Sequence, residues 1–281
     1  MARVLIAGCG FVGKAAGLLL KAGGWEVIGV TRSEESAVQL SAEAFQTVAC
    51  DISDPAMVQE KLGGFEGIDA VVDCVSSGRG GEEAYRKNYL EGARNLLEIL
   101  KPQRFLFTSS TSVYAQNDGS WVTEESPAEP VRETGRILRE TEELVLGHEG
   151  IVTRLAGIYG PERWALLRKF LDGSAIIEED GSRWVNQIHR DDAAGAIGFL
   201  LNTDAVSDIY NVADNTPFSQ VDCYRIFSEH FRKPLPPAGP VDVNRKRGVT
   251  NKQVSNAKLR ALGWEPKFPS MREAARDCAA S

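Results

Sequence analysis

The chain lacks the marks of several large functional classes. It has only five cysteines and three histidines in 281 residues. Cys9, Cys50, Cys74, Cys223 and Cys278 are scattered, odd in number and mostly set in apolar runs, with no pair at metal-ligand spacing. That excludes a disulfide framework and describes buried free thiols in a reducing compartment; no metal site is expected. No apolar run approaches the ~20 residues of a membrane span. The first such run, residues 4–7, passes straight into glycines without the apolar stretch of a signal peptide. A general basic footprint is missing too, since the formal net charge is −7, which argues against nucleic acid as the main partner. There is no internal repeat. These absences lead us to expect a cytoplasmic protein acting on a small molecule, away from membranes and nucleic acid; a monomer or homodimer is expected.

What is present is an alternation. Short β-rich runs at 3–7, 26–30, 46–49, 70–74, 104–108 and 151–155 are nearly continuous in apolar residues, as strands covered on both faces are. Helical patterns lie between them at 12–21, 34–43, 55–62, 82–100 and 133–146. Asp54-Pro55 is a helix start, a capping carboxylate followed by proline at the first helical position. The order predicts βαβ units and a Rossmann-type, doubly wound parallel sheet of about seven strands in an α/β protein. Beyond residue 155 the elements shorten. A helix at 191–201 and a strand at 208–212 return to the sheet, and 234–240 is a proline-rich extended loop. The expected division is a dinucleotide-binding domain at 1–155, completed by about 186–212. A small discontinuous C-terminal lobe takes 156–185 and 213–281.

Gly8-Cys9-Gly10-Phe11-Val12-Gly13 spells G-x-G-x-x-G between the first strand and the first helix. That context turns a weak pattern into a phosphate-binding turn. Gly8 permits the tight turn, Gly10 lets backbone approach a pyrophosphate, and Gly13 lets helix and strand pack closely. The helix N-terminus then offers amides and partial positive charge to the phosphates. Where an NAD-preferring site carries Asp or Glu, about 20 residues on, this chain has Thr31, followed by Arg32 and Ser33. A guanidinium pairs well with a 2′-phosphate, and Ser33 adds a donor. NADP is therefore expected, NAD less so. After the third strand, Asp51-Ile52 either contacts the adenine or, through Asp51, caps the next helix; both readings stand. The expected cofactor contacts are Gly8, Gly10, Phe11, Val12, Gly13, Thr31, Arg32, Ser33, Asp51, Ile52, Cys74, Val75 and Ser76.

Taken together, the glycine turn, the Asp51-Ile52 step and Asn88…Gly92…Asn95-Leu96-Leu97 resemble the extended short-chain dehydrogenase/reductases, the NAD-dependent epimerase/dehydratase family. So do Thr108-Ser109-Ser110-Thr111-Ser112-Val113-Tyr114, Arg154-Leu155-Ala156-Gly157-Ile158-Tyr159-Gly160-Pro161 and Ile188-His189-Arg190-Asp191-Asp192. Tyr210-Asn211-Val212 and Asn256-Ala257-Lys258-Leu259…Leu262-Gly263-Trp264 follow in the same order. The resemblance implies a seven-stranded sheet with the cofactor across the strand ends and a C-terminal lobe over a substrate that is often a nucleotide sugar. Ser110 matches the hydroxyl residue that hydrogen-bonds the reacting carbonyl or hydroxyl.

One departure matters. Catalytic members carry Tyr and Lys at i and i+4 on the next helix, on one face. Counted back from Glu142, which matches the family's downstream glutamate, those positions hold Thr134 and Leu138. Arg132 and Arg136 share the spacing but lie about 200° around the helix. Tyr85, Tyr89, Tyr114 and Tyr159 are available phenols, and His189 has a suitable intrinsic pKa, although a structural role fits it too. The catalytic candidates are thus Ser110, Thr134 and His189. Loss of a general acid or base costs about 10²–10⁴ in rate. The chain therefore resembles the atypical members, either an NADP-dependent oxidoreductase or epimerase, or a non-catalytic NADP(H) sensor or scaffold. Asn244-Arg245-Lys246-Arg247 with Lys252 reads as an anion site or a solvated charged loop. Trp164 and Trp184 read as pocket lining or core, and Gly78-Arg79-Gly80-Gly81 as a lid or a connection.

Overall fold

The structure, a computed structural model, describes residues 1–43, 45–78, 80–241 and 250–277. The chain begins with β1 (Arg3–Ala7), α1 (Phe11–Ala22), β2 (Glu26–Thr31), α2 (Glu34–Ser41), β3 (Gln46–Ala49), α3 (Pro55–Lys61) and β4 (Ala70–Asp73). A long helical segment follows: α4 (Glu82–Tyr85), a π-helical turn (Arg86–Glu91) and α5 (Gly92–Leu100). Next come β5 (Arg104–Ser110), a 3-10 turn (Thr111–Val113), β6 (Trp121–Val122), α6 (Glu133–Gly147) and β7 (Ile151–Leu155). The remainder holds β8 (Gly157–Tyr159), α7 (Ala165–Leu171), β9 (Ile177–Glu178), β10 (Trp184–Val185), β11 (Gln187–His189), α8 (Arg190–Asn202) and β12 (Ile209–Val212). β13 (Phe218–Ser219), α9 (Gln220–Phe231), β14 (Ala238–Gly239), β15 (Gln253–Val254), α10 (Ala257–Ala261) and α11 (Met271–Asp277) end the described chain.

Seven strands form one parallel sheet in the order β12-β7-β5-β4-β1-β2-β3. Their apolar runs are buried as a two-faced sheet requires: Val4, Leu5, Ile6 and Ala7 of β1 and Val71 and Val72 of β4 are fully buried. In register, Leu5 stands between Ile28 of β2 and Val71 of β4. The chain runs outward through β2 and β3, then returns to place β4 on the other side of β1. That reversal opens a crevice at the carboxyl ends of β1 and β4, where open α/β sheets bind ligands. The helix expected over 82–100 is interrupted by the π-helical turn, because apolar periodicity does not separate i→i+5 from i→i+4 bonding over one turn. The expected loop at 234–240 contains β14, which pairs with β9.

Two compact units emerge. The first comprises Met1–Val113, Glu129–Arg154 and Ala194–Tyr210; the second comprises Tyr114–Ala128, Leu155–Ala193 and the chain from Asn211 onward. Residues 114–128 thus leave the domain to which the sequence assigned them. Pairing explains it, since β6 lies parallel to β15 and the Gly119 amide donates to Asn251 O at 2.9 Å. Residues 186–193 join the second unit as well, through β11 on β8. Within that unit Trp164 is core, stacked on Tyr159 with centroids 4.3 Å apart and edge-on to Phe227.

Candidate cofactor and active site

Each glycine of the β1–α1 turn has its own steric reason. Gly8 has φ +75°, and a Cβ there would fall 2.5 Å from Val75 N and 2.6 Å from the Cys74 carbonyl carbon. A Cβ on Gly13 would meet Gly8 O at 2.6 Å. Gly10 differs, for its Cβ would meet nothing closer than Gly8 O at 4.0 Å. The turn is held by the Gly8 and Cys9 amides on Val30 O, both at 3.0 Å, and by the Gly10 amide on Gly8 O at 2.7 Å. Among the described residues no side chain caps α1, and its first turn contains no carboxylate. An uncapped helix start behind an open glycine fits a diphosphate. The neighbouring thiols are kept protonated: burial pushes Cys9 up to about 12 and Cys74 higher still.

At the end of β2, Thr31 Oγ1 donates to Ser33 O at 3.2 Å. Arg32 is exposed. Ser33 caps α2, its Oγ accepting from the Ser36 amide at 3.3 Å. Beyond β3, Asp54 caps α3 by accepting from the Ala56 and Met57 amides at 2.9 and 3.2 Å. Asp51 instead closes a turn on Ser53, accepting from its amide at 3.0 Å and its hydroxyl at 2.8 Å, which settles the capping alternative against Asp51. Ile52 is fixed by Asn95, whose Nδ2 donates to its carbonyl at 2.8 Å, and by Gly92, where a Cβ would fall 2.7 Å from Ile52 Cδ1.

The carboxyl end of β4 holds a residue outside the expected set. Asp73 is fully buried, one oxygen accepts the Val75 amide at 3.0 Å, and Oδ2 has no partner among the described residues. Burial pushes its carboxyl up to about 7. The available signal was an acid closing an otherwise apolar, doubly covered strand. Cys74 and Val75 lie against Gly8, and Ser76 Oγ accepts from the Gly78 amide at 3.3 Å. Arg79 lies outside the described residues.

β5 ends at Ser110, half-buried, with Oγ accepting from the Ser112 amide at 3.2 Å. The facing helix is anchored by a buried ion pair. Glu142 on α6 accepts from Arg154 Nε at 3.0 Å and Nη2 at 2.7 Å, and from Ser109 Oγ at 2.5 Å; Arg139 also reaches it. Glu142 and Leu138, one turn before it, are both buried, and Thr134, a turn earlier on the same stripe, is half-buried. Arg136 is exposed and pairs with Glu133 at 3.3 Å, so it points away from that stripe. Tyr89, on the π-helical turn, accepts from the Ser77 amide at 3.4 Å.

In the second unit His189 is buried beside Tyr159 and Phe268, with ring centroids 5.3 and 4.2 Å away. Its Nδ1 accepts from the Asp191 amide at 3.2 Å, which assigns the proton of a neutral ring to Nε2. Lys252 is not in a solvated loop. It is buried, its Nζ donates to Tyr114 O and Thr250 Oγ1 at 3.0 Å each, and burial lowers its ammonium to about 8. Trp184 is half-buried, its amide donating to Asn251 Oδ1 at 3.0 Å. Residues 244–247 and Cys278 lie outside the described residues. Among the described residues no group of three or more His, Cys, Asp or Glu could hold a metal ion, and no helix is long and apolar enough to cross a membrane.

The glycine turn at a β1/β4 switch point defines a dinucleotide-binding sheet, and comparison with known proteins narrows it. The model of the NAD dependent epimerase/dehydratase family matches residues 4–213. The chain belongs to the NAD-dependent epimerase/dehydratase family. Protein YeeZ of Escherichia coli K12 is 32% identical over 219 residues, covering 75% of this chain and 77% of YeeZ. A Methylobacillus flagellatus protein, named as a candidate NAD-dependent epimerase/dehydratase, superposes with a TM-score of 0.80 at 28% identity, over 100% of this chain and 99% of its own. DesIV of Streptomyces venezuelae, a dTDP-glucose 4,6-dehydratase solved with NAD, shares the fold with a TM-score of 0.80 at 20% identity, over 98% and 95% of the two chains. Members of the epimerase/dehydratase family bind NAD or NADP, so the cofactor turn described above is a family feature in this chain.

Proposed function

We propose that the protein binds NADP(H) across the carboxyl ends of β1–β5 and acts as an oxidoreductase or epimerase on a small substrate, of the nucleotide-sugar kind common in the family. The observation that carries this reading is the turn itself: Gly8 and Gly13 are sterically filled, while Gly10 stands open before an uncapped helix. Phe11, Val12 and Gly13 amides receive the pyrophosphate. Arg32, with Thr31 and Ser33, takes the 2′-phosphate, and the lack of a carboxylate at position 31 removes the group that favours NAD. Asp51 and Ile52 meet the adenine; Cys74, Val75 and Ser76 line the nicotinamide half. The cofactor supplies or accepts hydride, and Ser110 donates to the reacting oxygen.

A second reading is favoured by one specific observation. Leu138, at the position matched to the family's lysine, is buried and carries no donor. On that reading the protein senses NADP(H) or scaffolds a partner without turnover, and Thr134 is inert. His189, packed among aromatic rings, serves structure on either reading. The working context remains cytoplasmic, without nucleic acid or membrane, as a monomer or homodimer.

Titration calorimetry with NADPH and NADH on wild type and Arg32→Glu tests the cofactor assignment. The variant loses about tenfold or more in NADPH affinity, the cost of one charge-assisted contact replaced by repulsion, and changes little for NADH. Equal losses for both dinucleotides would refute the role of Arg32. A cofactor-soaked crystal separates the two readings. A polar side chain within ~3 Å of a substrate atom facing nicotinamide C4 marks an enzyme, and an apolar lining marks a sensor.

A further inference from the structure

We propose that Tyr89 faces the nicotinamide ring of the bound cofactor and, beside Ser110, is the phenol that handles the reacting proton. The inference rests on the cofactor-binding reading above and deepens it. The strand order fixes the direction. With the diphosphate at the β1 turn and the adenosine half over β2 and β3, the nicotinamide half must run over β4 and β5. Tyr89 is built into that side of the first unit. Its hydroxyl stands 3.4 Å from the Ser77 amide, in the segment that follows β4. Its ring packs 5.0 Å from that of Tyr85 and 6.1 Å, edge-on, from that of Phe107. Phe107 lies on β5, three residues before Ser110, or about 10 Å of strand.

The hydrogen bonding leaves the group able to act. A phenol has one donor and acceptor lone pairs. The Ser77 amide occupies a lone pair, and no acceptor for the phenol proton stands among the described residues. Two aromatic neighbours hold the ring while the side chain stays half-buried rather than sealed. π-helical turns recur at functional sites, and this one carries Tyr89. In the reducing direction Tyr89 would give its phenol proton to the oxygen of a substrate carbonyl whose carbon takes the hydride that a bound reduced dinucleotide would supply, so that C=O would become C–OH at the expense of that dinucleotide's oxidation. The Tyr89 phenolate would keep the Ser77 amide until water returned a proton. Thr134 and Leu138 need take no part.

The test is fluorine NMR of protein carrying Tyr89→3-fluorotyrosine, a change of one ring hydrogen. It is titrated with NADP⁺ and, separately, with 2′-phospho-ADP-ribose, which lacks the nicotinamide. Calorimetry on the same samples reads occupancy. The resonance is expected to shift with NADP⁺ and to stay in place with the nicotinamide-free analogue. Tyr224→3-fluorotyrosine, in the core of the second unit, serves as the control and shifts with neither. A stationary resonance with NADP⁺ bound, or equal shifts with both ligands, overturns the assignment of Tyr89 and leaves the cofactor reading intact. Absence of uptake of both ligands overturns the cofactor reading, and this inference with it.

Discussion

At the β1–α1 turn, the proposed function resides in backbone amides and in side chains that are missing; along α6, it would have to reside in the side chains themselves. The turn keeps its chemistry as long as three glycines keep their places. The stripe Thr134–Leu138–Glu142 keeps its helix in place through Glu142 and Arg154, whatever stands at the two positions before. The fold of the turn and the placement of α6 are therefore maintained by different interactions.

Removing the anchor of α6 is expected to have the largest effect. Glu142→Leu takes the carboxylate away from the buried Arg154 guanidinium, and breaking such a buried pair costs about 3–5 kcal/mol. Chemical denaturation reads it, and Glu142→Leu/Arg154→Met recovers most of the loss if the cost lies in the buried guanidinium losing its carboxylate. A single variant as stable as wild type breaks the account of α6. Next comes the turn. Gly8→Ala places a methyl against the Cys74–Val75 backbone at φ +75° and is expected to cost about 3 kcal/mol, as strain and overlap together. A melting temperature unchanged by that substitution contradicts the close approach of β1 and β4.

A smaller effect is expected at Asp73. Its folded-state pKa, about 7, lies above the ordinary value of 3.8, so between those values the folded state holds a proton the unfolded chain has released. Stability contributed by this group is full below pH 4 and falls as pH rises through 7. Asp73→Asn keeps the shape and removes the titration. It should flatten the stability–pH curve and gain on the order of 2 kcal/mol over wild type at pH 8. Parallel curves for the two proteins from pH 4 to 8 would exclude a buried, titrating carboxyl.

Local chemistry explains what the sequence made legible. The six strands of the first half, the glycine turn and the Asp54-Pro55 cap each depend on residues within one turn or one strand of each other, so periodicity and turn residues suffice. The features that escaped depend on distant partners. Residues 114–128 join the second unit only because β6 finds β15 more than a hundred residues later. Lys252 is drawn out of a basic stretch by the Tyr114 carbonyl. Asp73 reads as an ordinary strand end until its neighbours are in place and one oxygen has no partner among the described residues. The π-helical turn differs from an α-helix by a single hydrogen-bond step, which composition does not encode.

Gly10 offers the most direct measurement, because the fold leaves its side empty while the proposed diphosphate fills it. Gly10→Ala is to be compared with wild type by thermal melting and by NADPH calorimetry on the same preparation. The account predicts nearly unchanged melting, with NADPH affinity reduced by about tenfold or more. Undiminished NADPH binding by a well-folded Gly10→Ala protein would contradict it.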